Sequence, residues 1–135
     1  MTSHALRLMP GQDPYLVLQQ LAAQKNIEAA VLLSAVGSLS KAALRFANRD
    51  RETLIEGPLE IVSATGVVSR HGMHLHLAAA DGDGATRGGH LSPGSAVYTT
   101  CEIVLLDLSG EYVFERKPCL ESGFDELSVT ARRIG

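Results

Sequence analysis

Apolar and polar residues alternate in short runs along most of this chain, the period-2 pattern of strands, and a single segment follows a helical period instead. Residues 5–9 predict a first strand. Gly11-Gln12-Asp13-Pro14 then supplies a turn, a helix-capping aspartate and a proline suited to the first helical position. Over residues 15–25, Leu18, Leu21 and Ala22 recur at helical spacing between Gln19, Gln20 and Gln24, which predicts an amphipathic helix ended by Asn26. Residues 29–36 are nearly all apolar and predict a buried strand that stops at Gly37, with residues 39–47 as the next strand, paired to it. Residues 96–108 predict a second long apolar strand, and residues 112–115 and 126–131 two closing ones. The expected fold is α+β: a single compact domain over residues 1–135, one mixed or antiparallel sheet with one or two helices.

The stretch 57–80 departs from that pattern in one respect. Only Glu60 and Arg70 carry a formal charge there, whereas a strand pair facing water normally alternates apolar residues with charged ones. Both faces are therefore expected to be covered, one by the core and the other by the helix or a second subunit.

Composition changes the picture mainly by exclusion. A chain of 135 residues, 45% of them hydrophobic, is sized for one core. Its formal charge of −3 offers no general attraction to a polyanion, so a nucleic acid or membrane partner would need a local basic patch. Arg45, Arg49 and Arg51 are diluted by Asp50 and Glu52, and with Arg132-Arg133 they read as solvated faces. Residues 1–11 lack the basic and apolar regions of a secretory signal, and no apolar run approaches the ~20 residues that cross a bilayer. Cys101 and Cys119 form no C-x-x-C pair and suit reduced thiols, so a cytoplasmic location is expected.

The candidate chemistry lies in the histidines. In a strand over residues 73–80, His74 and His76 point to one face while Leu75 and Leu77 point to the other. Asp81-Gly82-Asp83-Gly84-Ala85 is rich in turn formers, and if these five residues make the loop of a hairpin, Ala80 opposes Thr86 and His76 opposes His90. Three imidazoles then share one face, with opposed Cβ atoms about 5 Å apart. Neutral imidazoles in that number suit zinc and other borderline divalent metals, and three protein ligands leave one position open. A one-residue slip would send His90 to the other face. The competing reading is three half-buried polar side chains hydrogen-bonded in an interface.

Other residues near this hairpin are assigned plainer roles. His71 sits at a turn, Asp81 and Asp83 read as turn formers before outer-shell partners, and Gly88-Gly89 allows a close backbone approach or marks a bulge. Glu60 and Glu102 lie inside apolar strands and are the candidate general bases, with exposure or a salt bridge as the alternative. The glycines at 82, 84, 88 and 89 miss the G-x-G-x-x-G fingerprint, because Arg87 takes its last position, and no P-loop, H-E-x-x-H or EF-hand pattern occurs.

Gly57-Pro58-Leu59-Glu60-Ile61-Val62-Ser63-Ala64-Thr65-Gly66, His74-Leu75-His76, Asp81 and Gly88-Gly89-His90-Leu91 with Gly94 closely resemble the plants and prokaryotes conserved (PPC) domain. Arg7-Leu8, Gly11-Gln12-Asp13, Val36-Gly37-Ser38-Leu39 and Gly123-Phe124-Asp125-Glu126-Leu127 extend the likeness over essentially the whole chain. The resemblance implies an α+β domain that assembles as a homotrimer, with His74, His76 and His90 as a metal-type site. Prokaryotic members carry a provisional DNA-binding label that derives from plant relatives fused to AT-hooks. This chain has no Arg-Gly-Arg-Pro core, and Pro58 and Leu59 replace the Arg and Phe of the plant G-R-F-E-I-L box while Glu60 is kept. Three functions stay open at this point. The first is a trimeric module binding a divalent metal, zinc by ligand type, with a small-molecule ligand or a metal-dependent enzymatic step at the open position. The second is a DNA-associated regulator, and the third is a pure assembly domain.

Overall fold

The computed structural model describes residues 2–133. Strands dominate it, with 61% of residues in strands and 8% in one helix. The elements are β1 (Thr2–Leu8), α1 (Pro14–Gln24), β2 (Ala30–Arg45), β3 (Thr53–Ser69), β4 (Gly72–Ala80), β5 (Thr86–Leu91), β6 (Ala96–Asp107), β7 (Tyr112–Pro118) and β8 (Asp125–Ala131).

The helix begins where its cap places it. Asp13 is extended, and its Oδ1 accepts from the Tyr15 amide at 2.9 Å, satisfying one of the free N–H groups of the first turn. Its other oxygen accepts from the Gly94 amide, so the cap also ties the helix start to the loop before β6. Asn26 ends the helix at φ 52°, a left-handed conformation that asparagine tolerates. Pro14, Leu18 and Ala22 turn inward and cover one side of the core.

Six strands form an antiparallel sheet in the order β1-β6-β2-β3-β4-β5, and β2 also pairs with β5. That extra pairing closes β2, β3, β4 and β5 into a ring, which α1 packs against. Leu39, Leu44, Leu75, Leu105, Ile27 and Val68 are fully buried inside. Each such side chain contributes roughly 1.5–3 kcal/mol on leaving water. β7 and β8 form a separate two-stranded hairpin, held to the body by the Phe114 amide donating to the Glu28 carbonyl and by the Ser69 hydroxyl donating to the Phe114 carbonyl.

Two expectations change here: the closing strands form a sheet of their own and do not complete a single one, and the strand break at Gly37 is absent. Residues 29–36 and 39–47 are not a pair of strands but parts of one, β2, which runs through Gly37 without turning. Gly37 is needed for a close approach: a Cβ there would lie 2.0 Å from the Thr100 carbonyl oxygen of β6. Within one chain the outer face of residues 57–80, expected to be covered by the helix or a second subunit, is partly open, with Val62 60% exposed. The uncharged face continues onto β2, where Leu33 and Val36 are 56% and 58% exposed.

Candidate metal centre

The β4–β5 hairpin adopts the predicted register: Ala80 opposes Thr86 and His76 opposes His90. The turn is closed by Asp81, whose Oδ1 accepts from the Asp83 and Ala85 amides at 2.9 and 3.0 Å. Asp81 is thus engaged in the turn and not aimed at an imidazole. Leu75 and Leu77 are buried in the core, which leaves the histidines of β4 on the outer face. His76 is exposed and His90 is half-buried.

The three rings converge. The Nε2 atoms of His74 and His76 are 3.1 Å apart, and the candidate ligand nitrogens of all three residues lie within 4.8 Å of one another. Zinc–nitrogen bonds of about 2.0–2.1 Å in tetrahedral array set nitrogens roughly 3.3 Å apart. Small ring rotations therefore bring these donors around a single ion, and no carboxylate or thiolate joins them in this cluster among the described residues.

The electrostatics favour the neutral, ligating form of imidazole. Burial lowers the pKa of His74, helped by His76 and Arg116 and opposed by Glu126. Burial also lowers that of His90, with Arg45, His74 and His76 acting in the same direction and Glu52 against it. A lowered pKa means the proton leaves at lower pH, so both rings are neutral above that point. In metal-free protein, NMR titration of the ring protons should give midpoints for His74 and His90 below the ordinary histidine value of about 6.5. Midpoints at or above it would contradict the burial and charge pattern described.

The cluster opens into a cleft of about 540 Å³. His74 and His90 form part of its lining, with Arg45 from β2, Tyr15 from α1, Arg116 from β7, and Phe124, Asp125 and Glu126 from the start of β8 and the residue before it. A neighbouring cavity of about 320 Å³ shares His74, Arg116 and Glu126 and adds His76. Gly72 makes room for this wall, since a Cβ there would meet Arg116 Cγ at 2.9 Å.

The two carboxylates singled out from the sequence lie elsewhere. Glu60 pairs with Ala80 on β4, four residues from His76, which is about 13 Å along a strand. Glu102 is exposed on β6, opposite Arg7 and Val36. Neither lines the cleft. His71, at the β3–β4 turn, does line the cleft, with its Nε2 2.6 Å from Glu28 Oε2, while His4 pairs with Asp107 at 3.0 Å. Sequence reasoning missed Arg45, Arg116, Tyr15 and Glu126. By its charged neighbours Arg45 reads as part of a solvated cluster, yet β2–β5 pairing sets it directly opposite His90.

The fold and site define a small, strand-dominated domain with a three-histidine cluster in a surface cleft. The chain belongs to the Plants and Prokaryotes Conserved (PCC) domain family, which it matches over residues 1–109. It is 48% identical over 126 residues to a protein named Bifunctional protein GlmU from Synechococcus sp. (strain JA-3-3Ab). That match takes in 93% of this chain but 20% of the relative, so the chain spans about a fifth of the curated relative's length. A solved structure of a hypothetical protein from Salmonella enterica superposes with a TM-score of 0.94 at 39% identity, covering 98% of this chain and 95% of the other. A metal-containing protein from Archaeoglobus fulgidus superposes at 0.78 with 31% identity, covering 95% and 94%. Structures from Bacteroides thetaiotaomicron and Ralstonia eutropha that bear a provisional DNA-binding description share the fold at 21% and 22% identity.

Proposed function

We propose that this chain is a metal-binding domain that assembles as a homotrimer, with His74, His76 and His90 holding one divalent ion, zinc by ligand type. The carrying observation is the convergence of three imidazole nitrogens within 4.8 Å, two of them on rings biased toward the neutral form. The metal content described for the Archaeoglobus protein supports this reading. With three protein ligands the ion keeps an open position, where it would polarise an oxygen donor of a small molecule entering the cleft. Any carboxylate acting as a base there is better sought in Glu126, which lines the cleft, than in Glu60 or Glu102. Elemental analysis of protein purified without chelator tests the site: about one equivalent of divalent metal per chain is expected, and a small fraction of that overturns it.

Self-association is supported by the exposed apolar face of Leu33, Val36 and Val62, a surface that solvated monomers seldom present, and the count of three is what the family resemblance implies. Sedimentation equilibrium should give the mass of three chains, and Leu33→Glu with Val62→Glu should shift the protein toward monomer. A monomeric parent at micromolar concentration would rule the assembly out. The free thiols of Cys101 and Cys119 suit the reducing cytoplasm, and no helix among the described residues is long and apolar enough to cross a membrane. DNA binding has weaker support, since the formal charge is −3 and Arg45 belongs to the cleft. The match to part of a longer Synechococcus protein fits a module that also works joined to other domains.

A further inference from the structure

The cleft beside the histidines is lined by two arginines that pair with no carboxylate among the described residues. Arg45 and Arg116 come from strands far apart in sequence, yet both line the same cleft as His74 and His90. Neither forms a salt bridge among the described residues. Among the described residues, the one polar contact of the Arg45 side chain is Nη1 donating to the Arg49 carbonyl at 3.2 Å. Arg116 is more unusual still, because its Nη2 is shielded from solvent and has no hydrogen-bond acceptor among the described residues. An orphaned charged donor of this kind is costly, and native proteins leave few of them. Arg116 nevertheless stays at the cleft wall, its aliphatic stem accommodated over Gly72.

A guanidinium presents several N–H donors in a planar fork that matches carboxylate or phosphate oxygens. Two of them in one cleft, beside the three histidines, select for negative charge. Asp125 and Glu126 also line the cleft and would repel an anion, so the two arginines balance them and an ion at the histidines would make the surroundings net positive. Tyr15 and Phe124 add apolar wall, which suits the carbon skeleton of a small ligand.

We infer that the cleft is a binding site for a small oxyanion-bearing molecule, whose carboxylate or phosphate group is held by Arg45 and Arg116 next to the three-histidine site. This names the ligand class of the proposed metal centre and rests on that reading only for the metal's part. The arginines act on the anion whether or not an ion is present.

The test uses full-length protein, the variants Arg45→Gln and Arg116→Gln, and three probes: malonate, inorganic phosphate and uncharged malonamide. Metal content is measured first on every sample, and binding is then followed by isothermal titration calorimetry on metal-loaded and metal-free protein. Malonate or phosphate should bind the parent saturably, and the stronger of the two identifies the carboxylate or phosphate source. Each glutamine variant should weaken that binding by about tenfold or more, in line with loss of a charge-assisted hydrogen bond. Circular dichroism showing parent-like secondary structure in the variants separates lost binding from lost fold. Metal-loaded parent that binds neither anion, binds malonamide equally well, or is matched by both glutamine variants overturns the inference while the metal reading stands. If the parent takes up no metal, the metal reading fails alone. Arginine-dependent anion binding to the metal-free protein then supports the inference, and its absence overturns it.

Discussion

Replacing His74 or His90 by alanine should abolish the proposed metal binding and leave the fold standing. Either ring supplies one of three converging nitrogens, and the two that remain cannot hold a borderline divalent ion as three do. The loss in affinity should exceed the roughly 10–100-fold that follows removal of a mere outer-shell partner. The fold survives because the burial on β4 is carried by Leu75 and Leu77, which face the other way. Metal-free parent and metal-free variants should therefore differ by no more than about 0.5 kcal/mol in chemical denaturation. Adding metal separates them. The parent should gain roughly 2.7 kcal/mol when free metal stands at a hundred times its dissociation constant, and the variants should gain nothing at that concentration. Variants that retain the parent's metal occupancy, measured by elemental analysis, would remove these histidines from the site.

A second substitution tests the ring closure that the site depends on. Gly89→Ala should lower stability by about 1–3 kcal/mol, the usual cost of forcing atoms into a packed interior. The added Cβ would lie 2.6 Å from the Arg45 carbonyl oxygen and 3.1 Å from its carbonyl carbon, both of them backbone atoms that cannot swing aside. The strain falls on the β2–β5 pairing, where Arg45 opposes His90 and Leu44 opposes Leu91. His90 is the next residue in the chain, so metal affinity should fall along with stability. Gly82→Ala is the control, since a Cβ in that loop meets nothing within 4 Å. It should change stability by no more than about 0.5 kcal/mol and leave metal binding intact. Equal behaviour of the two variants would mean that β5 does not close against β2 as described.

These two experiments separate local from long-range determinants. The histidine hairpin was legible because its geometry is short-range: strand alternation places His74 and His76 on one face, and a five-residue loop then dictates which residue opposes which. The start of α1 was legible for the same reason, as Asp13 and Pro14 act within one turn of themselves. Family likeness carried the reading further than periodicity alone, by adding the late Gly123-Phe124-Asp125-Glu126-Leu127 segment without saying where it lay.

Local patterns in the chain specify a strand-rich domain with a capped helix, and three histidines on one side of a hairpin. The tertiary structure alone decided that Gly37 is a point of contact with Thr100 and not a strand end, so that β2 runs on to Arg45. It alone decided that β2 meets β5, bringing Arg45 to His90, and that β7 brings Arg116 to the same cleft. It also left Glu60 and Glu102 outside that cleft. The physical reason is range. Alternation, capping and loop length are set by neighbours in the chain, whereas an arginine on a solvated strand and an arginine in a ligand cleft share the same local pattern. They differ only in which distant strand completes the ring around the core, and so the histidines could be read as a site while the residues that would select its ligand could not.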